Sequence, residues 1–164
     1  MTNLSELSDP SELRALLEAV SSHAETVFKA HGAVPPAWFC VTDTDEIFFM
    51  PPPPTETREE ELMIVSEVFK MKSVICYVFV AEAWTAIIDK SDLSTVSSIE
   101  SRADREEVLL LTGESSDGQL TAKRKILRSR REAGLGPLEY MDDIIGGART
   151  GLLSHLQPSS RVVH

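Results

Sequence analysis

The sequence predicts an α+β fold: a single domain in which a mostly antiparallel, five-stranded sheet carries helices packed on it. Three observations predict it. Residues 74–81 are apolar on both parities, as in a strand covered on two faces. Leu13, Leu16, Leu17, Val20, Ala24, Val27 and Phe28 recur at helical steps of three and four. Short apolar runs broken by turn residues recur on either side of that central strand.

The elements follow in order. Residues 1–8 read as a flexible tail, 9–156 as the domain and 157–164 as a second tail. Asp9 as cap, Pro10 in the first turn and Glu12 three residues after the cap predict a helix start. Gly32 ends that helix, with His31 in its last turn, and Val34-Pro35-Pro36 leaves it extended. Strands at 38–42 and 46–50 form a hairpin through Asp43-Thr44-Asp45. The prolines at 51–54 end the second strand and blunt its edge.

Thr57 with Glu60 predicts a second helix start. Leu62, Met63, Val65, Val68 and Phe69 make this helix apolar on much of its circumference, so it is expected to lie between the sheet and another element. The central strand comes next. A polar, serine-rich connection at 87–104 follows it, then a hairpin of 106–112 and 119–128 about Ser115-Ser116-Asp117-Gly118. Residues 133–137 read as a linker and 139–156 as a final helix, with Met141, Ile145, Ala148, Leu152 and Leu156 on one stripe, interrupted by Gly146, Gly147 and Gly151.

The resulting order, α-β-β-α-β-β-β-α, resembles that of the profilin-like folds, which include the roadblock and longin families of small scaffolding subunits. The resemblance is one of element order over most of the chain, with no sequence motif of those families matched, and what it implies is the fold.

Composition narrows the function. The formal charge of -10 and pI near 4.8 argue against general affinity for nucleic acid or an anionic membrane. Residues 123–132 nonetheless carry a local +5, which leaves -15 for the rest of the chain. The longest apolar run is far shorter than a membrane-spanning helix. The acidic start lacks a secretory pattern, and Cys40 and Cys76 sit in apolar strands as reduced core thiols, so the expected compartment is the cytoplasm.

Two groups of residues stand out as candidate sites. Glu82 interrupts the central apolar run on the face of Val80 and Trp84, and a dry carboxylate must find water, a basic partner or a ligand. Glu82 and Trp84 are therefore the candidate ligand-binding residues, with Glu82 the one catalytic candidate. Lys123, Lys125, Arg128, Arg130 and Arg131, with Arg124 between them, are candidates for contact with phosphate groups or an acidic partner. On a strand, Lys123 and Lys125 point one way and Arg124 and Arg128 the other.

No cofactor or metal is expected. The histidines lack metal-ligand spacing, turn chemistry accounts for Asp43, Asp45 and Glu46, and helix-start preference accounts for Glu139, Asp142 and Asp143. No nucleophile, Walker or dinucleotide motif is present. The sequence therefore points first to a non-enzymatic protein-interaction module, self-associating as a homo-oligomer or acting as an adaptor. The alternatives are a small enzyme or ligand-binding domain with a cleft near Glu82 and Trp84, or nucleotide or nucleic-acid binding through residues 123–131.

Overall fold

A computed structural model describes residues 12–85, 106–116, 118–129, 133–141 and 152–153. Its elements are α1 (Leu13–His31), β1 (Ala37–Thr42), β2 (Ile47–Met50), α2 (Arg58–Lys72), β3 (Val74–Thr85), β4 (Glu106–Ser115), β5 (Gly118–Arg128), β6 (Ala133–Leu135) and β7 (Glu139–Met141). The fold is α+β. Among the described residues seven strands, where the sequence predicts five, form one antiparallel sheet in the order β2-β1-β3-β4-β5-β6, with β7 also paired to β5. None of the described helices is long and apolar enough to cross a membrane.

β3 lies at the centre, between β1 and β4, because it is the strand with apolar residues for both faces. On one face Cys76, Val78 and Val80 pack with Leu16, Leu17, Val20 and Phe28 of α1. On the other, Tyr77 and Phe79 pack with Trp38 and Cys40 of β1 and with Val65 and Phe69 of α2. Each of these large side chains, taken from water, contributes on the order of 1.5–3 kcal/mol before entropy is subtracted.

The simple alternation fails at the start of β3. Val41 pairs with Cys76 but Thr42 pairs with Val74, so one extra residue is accommodated there as a bulge. Val74 consequently joins the α2-side cluster with Tyr77, and Ile75 packs against the α1-side cluster, the reverse of their parity in the sequence.

Both hairpins form where turn chemistry places them. Thr42 and Glu46 close the first, with Asp45 in the left-handed region at φ 63°, and Ser115 pairs with Gly118 in the second. Gly113 on β4 lies beneath α1: a Cβ there would sit 2.7 Å from a methyl of Leu13 and 3.0 Å from the Tyr77 carbonyl oxygen. This close approach fixes how near the helix start comes to the sheet.

Several sequence expectations are corrected. Glu12 is extended, with ψ 120°, and occupies the cap position of α1 without a side-chain cap bond, so the helix begins at Leu13, the first residue of its buried stripe. Asp9 and Pro10, both tails, the connection at 87–104, and Arg130 and Arg131 lie outside the described residues. Residues 133–135, read as linker, form β6 against residues 126–128.

Glu139–Met141 is a strand rather than the first turn of a helix, because it pairs with residues 121–123 of β5. Its Tyr140 is tied to α1: the hydroxyl donates to Glu18 at 3.2 Å and the Arg14 guanidinium sits 4.2 Å from the ring centre. The rest of that expected helix falls on undescribed residues, apart from Leu152 and Leu153, which are buried in the α2-side cluster. Finally, among the described residues α2 is covered on one side. Val65 and Phe69 are buried, whereas Met63 and Met71 on its other side are exposed.

Candidate functional site

α1 ends in a left-handed turn at Gly32, φ 76°, whose N–H donates to the Phe28 carbonyl at 2.7 Å. Pro35 and Pro36 then hold the chain extended as it doubles back into β1. That path lays Val34 over β3, where its backbone N–H donates to Glu82 Oε2 at 2.7 Å. The carboxylate stands in for a ladder partner that this segment lacks.

Between this segment and α1 lies a cavity of about 660 Å³ lined by Val27, His31, Ala33, Val34, Pro35, Pro36 and Glu82. A second, of about 230 Å³, adjoins it and shares Val27, Val34 and Pro35. It continues past His23 and Phe39 to Phe49 on β2. His23 meets Phe39 edge-on at 5.5 Å, and Phe39 stacks on Phe49 at 5.8 Å. Together they form an apolar trough along α1 with one carboxylate and two imidazoles on its walls.

Glu82 also faces Arg128, Nη2 to Oε1 3.9 Å, but Arg128 belongs mainly to Glu107. Its guanidinium grips that carboxylate twice, at 2.7 and 3.0 Å, and lies 5.9 Å from the Phe28 ring centre. The hydrogen bond from Arg128, with its charge adding, holds Glu107 below the ordinary carboxylate range, and Glu107 in turn raises Arg128. Trp84, farther along β3 and opposite Glu107, is 39% exposed and does not line the trough. The structure thus brings Glu82 to a cavity without Trp84.

The basic residues separate as strand parity predicts. Lys123 and Lys125 reach Glu106 at 2.8 and 3.7 Å. Arg124 is buried beneath α1, with Nη2 3.0 Å from Glu25, Nη1 donating to the Ser21 hydroxyl at 3.3 Å and Nε donating to the Gly136 carbonyl at 2.7 Å. These contacts hold Glu106 and Glu25 low, the hydrogen bonds from Lys123 and Arg124 being the largest cause in each case.

Burial pushes the Cys40 thiol well up, which keeps it protonated and poorly nucleophilic. Burial, reinforced by the Glu114 carboxylate that its hydroxyl meets at 2.8 Å, does the same to Tyr77. Among the described residues, no three His, Cys, Asp or Glu side chains gather as a metal-ligating set.

Sequence reasoning found Glu82 but missed Val27, His31, Pro35 and Phe49. Val27 and His31 stand four apart on α1 just before the proline pair, a local hint that the helix end and the returning chain share a surface. No family model matches this chain, and neither a curated protein nor a solved structure matches it significantly.

Proposed function

We propose that this protein is a non-enzymatic interaction module that takes an apolar segment of a partner protein into the trough along α1. The observation that carries the reading is the trough itself: two adjoining cavities, about 660 and 230 Å³, running from His31 to the exposed Phe49 with almost wholly apolar walls. An elongated recess of this kind suits side chains from a peptide or helix better than one compact substrate. It also ends at β2, the outermost strand of the sheet, where a partner chain meets no further layer among the described elements.

The basic segment gives less support to nucleotide or nucleic-acid binding. Lys123, Arg124, Lys125 and Arg128 all have a carboxylate within 4 Å, so each already has an intramolecular ion-pair partner. One observation favours a second reading, a small apolar ligand: the larger cavity falls in the usual range of about 300–1,000 Å³ for such sites and has Glu82 as a polar group to orient a donor.

Photo-crosslinking in cells separates the two. A photoreactive residue at Phe49 or His31 is expected to give protein-sized adducts, and one at Leu127 on β5 is expected to give none. A small-ligand site instead predicts no such adduct and a copurifying molecule, seen by native mass spectrometry, that Val27→Glu and Glu82→Gln lose. Absence of both adduct and ligand overturns the assignment of function to the trough.

A further inference from the structure

We infer that the outward face of α2 is a contact surface between two copies of this chain, packed antiparallel about a two-fold axis. On a helical wheel Val65 and Phe69 mark the buried side of α2, and Glu60, Met63, Ile64, Glu67, Lys70 and Met71 fall on the opposite arc. The three large apolar members of that arc are 66%, 43% and 79% exposed, Met63, Ile64 and Met71 respectively. α1 contributes no large apolar side chain to the exposed surface, so this is a property of one helix and not of helices in this fold generally.

Charge names the occupant. The first turn of α2 carries Glu59 and Glu60 at the surface, Glu61 being buried, and the last turn carries Lys70 and Lys72. Acid at the start and base at the end suit the macrodipole of any helix, but the apolar strip between them has no such reason. Two copies of α2 laid antiparallel put each acidic end beside the other's basic end and bring Glu60 opposite Lys70 of the second copy. A parallel arrangement sets like charge on like. The surface is therefore self-complementary in the way a two-fold interface requires. In this register Met63 comes opposite Glu67 of the second copy and Met71 opposite Glu59, and the flexible thioethers can lie along the methylene stems of those glutamates without a carved pocket.

A helix of 15 residues is about 22 Å long and, with side chains, about 10 Å wide. A side-by-side contact of that size falls below about 1,200 Å² in total, the range of weak, reversible association. α2 and the trough are on opposite faces of the sheet, so the dimer does not depend on what the trough binds.

Sedimentation equilibrium of the full chain tests the inference. The wild type is expected to pass from monomer to dimer as concentration rises. Met63→Glu with Met71→Glu is expected to weaken association by roughly tenfold or more. The chain with Glu59→Lys and Glu60→Lys, and the chain with Lys70→Glu and Lys72→Glu, are each expected to associate poorly alone and to recover dimer when mixed, because only the mixture restores opposite charge at both ends. Recovery on mixing also shows that both variants are folded. A wild type that stays monomeric to about 1 mM, or charge variants that self-associate unchanged, or a mixture no better than its components, overturns the inference. None of these outcomes bears on crosslinking at Phe49.

Discussion

At Glu82 a carboxylate supplies the acceptor that no neighbouring strand gives to the Val34 N–H. Val34 is 6% exposed, but its hydrogen bond to Glu82 is only part-buried at the wall of the cavity. Glu82→Ala is therefore expected to destabilise the protein by about 1 kcal/mol, the net worth of one part-buried hydrogen bond to a charged group. Glu82→Gln keeps an oxygen in place and is expected to cost less. Urea unfolding midpoints of the two variants check this, and equal losses would show that the hydrogen bond is not what anchors the α1–β1 turn. The sequence marked Glu82 as a polar residue needing a partner. It could not name the partner, because Val34 lies 48 positions away and nothing local links a strand carboxylate to the backbone after a helix.

The two helices differ in how they begin, and the difference is measurable. Thr57 Oγ1 accepts from the Glu60 N–H at 3.1 Å, whereas Glu12 makes no side-chain cap bond to α1. Thr57→Ala is expected to cost about 1 kcal/mol and Glu12→Ser to gain a similar or smaller amount, both read from thermal unfolding. The cap of α2 was legible because its signal spans four residues and needs no tertiary partner. β3 was legible for a related reason: apolar side chains on both parities demand two covering layers, whatever those layers are. The bulge at Val74 and Ile75 was not, since it is set by the register of β1 against β3. Nor was β7, three residues without any period, which exists because β5 offers an edge and α1 offers Glu18 and Arg14 to Tyr140. The trough escaped the sequence in the same way, assembled from α1, the proline segment, β2 and β3.

Across the described residues, Lys123, Arg124, Lys125 and Arg128 of the basic segment are each paired with a carboxylate of a neighbouring element. Arg124 ties β5 to α1 through Glu25, Lys123 and Lys125 tie it to β4 through Glu106, and Arg128 ties it to β4 through Glu107. All three carboxylates are held below the ordinary glutamate value of 4.5. A lowered folded-state value means that unfolding takes up protons in acid. The stability these groups contribute is thus present above pH 4.5 and drains away as pH falls through their lowered values. Because each carboxylate is partly exposed, the effect is screened, and added salt is expected to shrink it. Denaturant unfolding measured from neutrality down to roughly pH 3 is expected to show stability falling on the acid side. The fall should be shallower in Glu107→Gln and shallower still when Glu106→Gln is added, since each change removes one group that binds a proton on unfolding. If the variants lose stability as steeply as the wild type, the acid sensitivity of this fold arises elsewhere than in the ion pairs that join β5 to its neighbours.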